Sequence, residues 1–372
     1  MRIAFLCKRR YMSKDVILDR YARLYEIPCQ LAMLGHEVRG WCLDYHSGED
    51  GSWQHDGGPG SLQWESRSLG RLYAPALLTY PQRMLRRLRE FGPDLLIGAS
   101  DIPHVALTRW LATRLGLPYM IDLYDNFEGF EQAKLPGFVS ALRWGTRRAC
   151  LVTTTSEPLR RLVINGYGVD AGKVVAMPSS VGKSVFHVTD KVTARNELNL
   201  PANAKLVGTA GGLYRDKGII PLYAAWERME AMRGEVHLVL AGPFQADLPP
   251  PTGPRVHYLG HLAHEQIAKL FSALDVGVVS ILDTEFGRYC FPQKAYEMLA
   301  CGLPVAAADV GAMSELFSDQ PASLFTPGDP ESLLASVIQQ LDAPLQARVP
   351  IPDWQALIGG VEPLLERCVK SV

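Results

Sequence analysis

The sequence predicts an α/β protein of two domains, each built around a parallel sheet. Three observations carry this. The chain has 372 residues, which fits two domains of ordinary size better than one. Short apolar runs of strand length alternate with helix-patterned stretches along the chain, the pattern of a parallel sheet covered on both faces. The alternation runs through twice, and residues 181–200, which carry no strong strand signal, separate the two passes. Composition agrees: 47% apolar residues, 21% charged residues and a mean hydropathy of zero belong to a soluble globular chain with material for two cores.

In the first pass, Met1 to Cys7 reads as a short buried strand and Lys8-Arg9-Arg10 as the start of a positively charged loop. Residues 20–34 show helical spacing, with Tyr21, Leu24, Tyr25, Pro28 and Leu31 near one face, and Gly35 ends that helix because it adopts a left-handed cap without a Cβ penalty. Glu37 to Leu43 is the next strand, and residues 47–60, rich in Gly, Ser and Pro, read as a surface loop. Leu95–Gly98, Pro118–Asp122, Leu151–Thr155 and Val174–Met177 follow as strands. The second pass offers Lys205–Thr209, Val236–Ala241, Arg255–Leu259, Val276–Ser280 and Pro304–Ala308, with a Pro-rich loop from Pro243 to Pro254. A last helical pattern, Trp354 to Val369, is expected to pack back on the first domain.

The net charge is −1, but residues 1–180 hold 23 Lys/Arg against 18 Asp/Glu and residues 181–372 hold 15 against 21. A basic first half fits a solvated surface or a face toward an anionic membrane or substrate. Arg83, Arg86, Arg87 and Arg89 decorate one such helix, whose apolar side is Met84, Leu85, Leu88 and Phe91. No apolar run reaches the roughly 18 residues of a membrane span, and Ile3 to Cys7 is too short for a signal peptide. Seven scattered cysteines without a C-x-x-C point to reduced thiols. The expected location is the cytoplasm, peripheral at the inner membrane face if the basic half meets lipid. No nucleic-acid partner is expected.

The first strand is not followed by G-x-G-x-x-G, and the Cys7–Lys14 loop has no glycine, which argues against a dinucleotide site there. The second half has Val207-Gly-Thr-Ala-Gly211-Gly212-Leu-Tyr-Arg215-Asp-Lys217-Gly218 between a strand and a helix beginning near Ile219. Two glycines allow close backbone approach, the helix start is electropositive, and Arg215 and Lys217 add cations. Together they suit a diphosphate, or else form a plain turn with solvated charges. Downstream, Pro292 suits the first turn of a short helix from about Pro292 to Cys301, with Gly302 just past its end. Lys294 and Glu297, three apart, share a face, and Glu297 sits in an apolar setting. Its donors are either ribose hydroxyls or Lys294 as a structural pair, and the residues alone favour the pair.

These segments resemble the GT-B-fold glycosyltransferases of family 4, also called glycosyltransferase group 1. Phe291-Pro-Gln-Lys-Ala-Tyr-Glu-Met-Leu-Ala-Cys-Gly-Leu-Pro-Val305 is similar to that family's P-x-K-x-x-E-x-x-A-x-G-x-P-V signature, and Gly211 to Gly218 to its phosphate loop. Leu34 to Val38, His257 to Gly260, Leu274 to Gly277 and Pro327 to Glu331 also match in order, and Val174 to Phe186 resembles the interdomain segment. The resemblance implies a GT-B fold: two Rossmann-like domains with parallel sheets facing across a cleft and the C-terminal helix returning to the first. The expected bounds are 1–182 for an acceptor-binding domain, 183–345 for a nucleotide-sugar-binding domain and 346–372 for the returning helix.

It also implies a hexosyl-type transfer from a nucleoside diphosphate sugar to a hydroxyl of a glycan, a lipid-linked acceptor or a small molecule. The reaction is expected to be retaining and metal-independent, with no cofactor. Lys217, Arg215 and Asp125 are the catalytic candidates. Gly211, Gly212, Leu262, Gly287, Tyr289, Phe291, Lys294 and Glu297 are the donor-binding candidates, with Glu297 on the ribose, Lys217 on the diphosphate and the base near Gly260–Leu262.

The chain departs from the family at several points. Tyr289 stands where the first acid of Glu-x7-Glu is usual, with Glu285 four residues earlier. Gly212 stands where an arginine precedes the loop lysine, with Arg215 as its expected replacement. The first loop lacks the glycine pair, and Tyr124 replaces a histidine. Asp125, polar at a strand's carboxyl end, is expected either to contact a sugar or to cap the next turn. His261 and His264 lack the H-E-x-x-H spacing, so no metal is expected there. Two other functions stay open: a nucleotide-sugar epimerase on the same fold, and a non-catalytic binding or partner subunit, which Tyr289 and Gly212 keep in view.

Overall fold

In the computed structural model of the chain, residues 1–372 are described except 13, 47, 71–72, 183, 347–348 and 372, and for 73–77 the backbone alone is described. Ser13 of the expected basic loop, Ser47 of the expected surface loop and Lys183 of the interdomain segment lie outside the described residues. The chain divides into two compact units, one of residues 1–179 with 354–372 and one of residues 180–353.

The first unit is built on β1 (Arg2–Lys8), β4 (Glu37–Asp44), β5 (Gly51–His55), β6 (Ser61–Ser68), β7 (Leu95–Ala99), β8 (Tyr119–Leu123), β9 (Leu151–Thr154) and β10 (Val174–Ala176), in the order β10-β9-β8-β7-β1-β4-β6-β5. The strands are parallel except β5, which runs antiparallel to β6 with Trp53 opposite Trp64. This corrects the expected surface loop at 47–60 and the expectation of wholly parallel sheets. β6 carries only Leu62 and Trp64 as large apolar side chains in a polar background, and β5 is a half-exposed edge. The basic loop after β1 is also more ordered than expected. β2 (Arg10–Tyr11) pairs with β3 (Lys14–Asp15), and Arg9 is buried, bonded to Asp15 at 2.9 Å and stacked on Trp53.

Helices α1 (Ala22–Met33), α2 (Tyr73–Phe91), α3 (Ile102–Leu115), α4 (Phe138–Arg147) and α5 (Glu157–Tyr167) belong to this unit. So does the C-terminal helix α13 (Trp354–Lys370), which packs on α1 and buries Ile358, Val361 and Leu365 in the same core as Ile3, Phe5 and Leu24. Within that core Arg23 of α1 and Asp122 of β8 form a fully buried pair at 2.6 Å. Arg23 also donates to the carbonyl of Met177, and Thr153 donates to Asp122 at 2.6 Å. The pair's remaining polar atoms are thereby satisfied, as a buried charge requires.

The second unit has a six-stranded, all-parallel sheet of β11 (Lys205–Ala210), β12 (Val236–Ala241), β13 (Val256–Tyr258), β14 (Val276–Val279), β15 (Val305–Ala308) and β16 (Leu324–Phe325), ordered β13-β12-β11-β14-β15-β16. Helices α6 (Lys191–Glu197), α7 (Ile219–Met232), α8 (His264–Ala273), α9 (Glu285–Tyr289), α10 (Gln293–Ala300), α11 (Ala312–Leu316) and α12 (Pro330–Asp342) complete it. The strand order reverses between β11 and β14. In an open α/β sheet the crevice outside the carboxyl ends of such a pair is where ligands bind.

Candidate functional site

The two motif segments of the second half flank this reversal, one leaving β11 and the other following β14. Backbone geometry explains the glycines. Gly211 has φ +112°, and Gly242 at the exit of β12 has φ +122°, both left-handed values that favour glycine. A Cβ at Gly242 would stand 2.1 Å from the Gly211 carbonyl oxygen, so the two exits meet backbone to backbone. They are tied by Gly211 N–H to Ala241 O at 3.0 Å and Leu213 N–H to Pro243 O at 2.8 Å. A short 3-10 turn, Arg215–Lys217, then leads through Gly218 (φ +74°) into α7. Ser280 at the exit of β14 donates to the Lys217 carbonyl at 3.3 Å, joining the two strand ends.

The side chains of this turn diverge. The Lys217 ammonium lies 3.5 Å from the centre of the Phe286 ring and 3.5 Å from the Asp216 carboxylate. Arg215 is exposed. Its guanidinium faces Asp247 at 3.4 Å, and its backbone N–H donates to Gln245 at 2.9 Å. Gly212 packs against the Tyr214 ring, where a Cβ would meet ring carbon at 2.6 Å.

After β14, Thr284 caps α9 by accepting from the Gly287 N–H at 3.2 Å. Gly287 is buried, and a Cβ there would stand 2.0 Å from the Leu282 carbonyl oxygen. Tyr289 ends α9 half-buried, and Phe291 packs on Tyr296 with ring centres 4.5 Å apart. Pro292 is the residue before the first turn of α10 rather than within it, with extended backbone, and the helix runs Gln293–Ala300.

Lys294 and Glu297 therefore rise from the start of α10, both half-buried. Burial pushes the Glu297 carboxyl up to about 7, against the opposing effects of the Lys294 charge and a hydrogen bond from Gln293. Burial also pulls the Lys294 ammonium down to about 8. The Glu297 charge raises it and the Lys217 charge lowers it further. The Lys294 amino group reaches the β11 exit, 3.5 Å from where a Cβ of Gly211 would be. The direct Lys294–Glu297 ion pair that the spacing favours is absent among the described residues.

Gly211, Gly212, Lys217, Gly287, Lys294 and Glu297 thus gather around the reversal point, flanked by Tyr289 and Phe291. Arg215 turns toward Asp247. Leu262 lies beyond β13, partly buried on the core. Sequence reasoning missed Phe286, the face under Lys217; its signal was an aromatic residue directly before Gly287. His264 opens α8 with its ring edge-on to Phe186 at 4.9 Å. No group of three His, Cys, Asp or Glu side chains placed to hold a metal occurs among the described residues.

In the first unit, Asp125 follows β8 half-buried and accepts from the Asn126 N–H at 2.8 Å. The next turn is capped by Asn126, which accepts from the Glu128 N–H at 3.1 Å, so the capping role expected of Asp125 belongs to its neighbour. Around the carboxyl ends of β1, β7 and β8 lies a polar cluster that no sequence motif announces. Lys8 donates to Tyr124 at 2.9 Å, Tyr45 donates to Asp101 at 2.9 Å, and Asp101 lies 2.6 Å from His104 Nδ1. Ser100, at φ +92°, accepts from the Lys8 N–H at 2.9 Å. The available signal was Asp101-Ile-Pro103-His104, a capping residue at a strand exit. Of the α2 arginines, Arg87 turns to Glu65 at 2.6 Å. No described helix is long and apolar enough to cross a membrane.

Residues 22–179 match the glycosyl transferase 4-like domain family, and residues 204–343 match the glycosyl transferases group 1 family. The D-inositol 3-phosphate glycosyltransferase of Stackebrandtia nassauensis is 33% identical over 217 residues, covering 54% of this chain and 48% of that one. The chain spans about half the length of the curated relatives it matches. Among solved structures, sucrose-phosphate synthase from Thermosynechococcus elongatus aligns over 100% of both chains with a TM-score of 0.75 and 20% identity. The Anabaena HepE protein in complex with UDP aligns over 100% of this chain and 99% of that one, with a TM-score of 0.68 and 19% identity. At these identities the likeness is one of fold, and that fold is GT-B.

Proposed function

The chain belongs to the group 1 glycosyltransferases of family 4, on the GT-B fold, and from that membership we propose that it transfers a hexosyl group from a nucleoside diphosphate sugar to a hydroxyl acceptor. The observation that carries the proposal is the convergence, at the strand reversal of the second unit, of a glycine-only backbone, the ammonium of Lys217 and the carboxyl of Glu297.

Each part suits one part of a donor. Gly211 presents backbone without a side chain, which lets a diphosphate approach closely. Lys217, held at the mouth of α7, meets the charge that grows on the diphosphate oxygen as its bond to the anomeric carbon breaks and the electron pair moves to oxygen. Glu297 is half-buried with Gln293 as its hydrogen-bond donor, and a ribose would supply two hydroxyl donors. The acceptor, a glycan or lipid-linked hydroxyl, falls to the first unit in this reading, with Asp125 as its candidate contact. Retention of configuration and independence from metal are part of the proposal. The family resemblance supports the first, and the cations beside the glycine turn support the second. A UDP-bound neighbour of the same fold supports a nucleotide as the ligand class.

A thermal-shift screen against UDP, GDP and ADP and their sugars tests the donor, since a ligand that binds only the folded state raises the melting temperature by mass action. Product analysis with the selected donor, with and without acceptor hydroxyls, then tests the transfer. Lys217→Ala is expected to lower turnover about 100-fold or more. A variant with near wild-type transfer would refute the role given to Lys217.

A further inference from the structure

We propose that Lys294, not Arg215, is the second cation of the pyrophosphate seat beside Lys217. This rests on the reading of the second unit as the donor domain.

Three observations point to it. Arg215 is exposed and directed at Asp247, and its backbone N–H is held by Gln245. Lys294, though it starts from a different element, carries its amino group to the Gly211 turn, 3.5 Å from where a Cβ would sit. It makes no hydrogen bond or ion pair among the described residues; the Glu297 charge acts on it from one helical turn along, outside ion-pair distance. A half-buried ammonium without a direct partner is costly, and the cost grows beside a second cation, here Lys217. An anion lying along the glycine turn between the two ammonium groups removes both costs at once. Burial without a partner is therefore intelligible as binding free energy held in reserve, at the expense of the stability of the ligand-free protein.

A ligand-binding lysine and a structural one have opposite effects on the stability of the ligand-free protein. The experiment is titration calorimetry of the full chain with UDP, GDP and ADP and with the matching nucleosides, alongside ligand-free thermal unfolding, for the wild type, Lys294→Met, Lys294→Arg and Arg215→Met. Lys294→Met is expected to weaken diphosphate binding by roughly 10–100-fold, to leave nucleoside binding as it was, and to unfold at the same temperature as the wild type or higher. Lys294→Arg should recover much of the diphosphate affinity. Arg215→Met should change it by less than about threefold. Unchanged diphosphate affinity in Lys294→Met would overturn the proposal. So would the larger loss falling on Arg215→Met, or a lowered melting temperature with diphosphate and nucleoside affinity lost together. A wild type that binds no nucleoside diphosphate at all would instead remove the donor-domain reading, and this proposal with it.

Discussion

Glu297 and Lys294 differ by three positions on one helix, and burial drives both toward neutrality from opposite sides. The signs follow from which state holds the proton more tightly. Glu297 is raised from 4.5 to about 7, so its contribution to stability is complete below pH 4.5 and is lost as pH rises through 7. Lys294 is lowered from 10.5 to about 8, so its contribution is complete above pH 10.5 and is lost as pH falls through 8. Chemical denaturation of wild type and Glu297→Gln across pH 4.5–7 should therefore diverge by roughly 2 kcal/mol, with the variant lacking the wild type's decline. Parallel curves would show that Glu297 is not held in a desolvating setting. The motif itself was legible: the i, i+3 spacing put both residues on one face. Their failure to pair directly was not legible, because it depends on where the Gly211 turn, more than eighty residues earlier, lies relative to the helix.

The strand exits show which elements explain themselves. Apolar strands buried on both faces, such as β1, β7 and β15, announce themselves by unbroken apolar runs. β5 and β6 do not, because an edge hairpin with one dry face needs few apolar residues, and its glycines and serines read as loop. Gly211 was picked out as a backbone needing close approach. Gly242 was not, since its reason for being glycine is the carbonyl of Gly211 across the sheet. Gly242→Ala places a Cβ against that oxygen at a φ unsuited to alanine, and is expected to cost about 1–3 kcal/mol from backbone strain alone. It should also weaken nucleotide binding by displacing the β11 exit. Urea unfolding and calorimetry check the two effects, and a variant with wild-type stability and affinity would show that the two exits are not locked together.

At the scale of the whole chain, the last helix belongs to the unit formed by the first residues. Ile358, Val361 and Leu365 of α13 complete the core under α1, and His36 meets Glu362 at 3.2 Å. Each of the three apolar side chains is worth about 1.5–3 kcal/mol when buried. Truncation after residue 353 should therefore destabilise the first unit while sparing the second. Hydrogen exchange should show faster exchange in β1 and α1 and unchanged protection in β11 and β12. Equal loss of protection in both units, or none in either, would contradict this.

The periodic part of the molecule is written locally along the chain: two α/β passes, most strand positions to within a residue or two, the helix α13, and the two motif segments with their glycines and charges. Those signals are local, because burial on two faces and left-handed turns each leave a mark within a few residues. Folding, and no local pattern, brings the Lys294 amino group to the Gly211 turn, sets Arg215 against Asp247, buries Arg23 with Asp122, and gathers Lys8, Tyr45, Asp101 and His104 at the carboxyl end of the first sheet. These are contacts between residues up to about a hundred positions apart, fixed by strand order and register, and strand order is not written in any single stretch of chain.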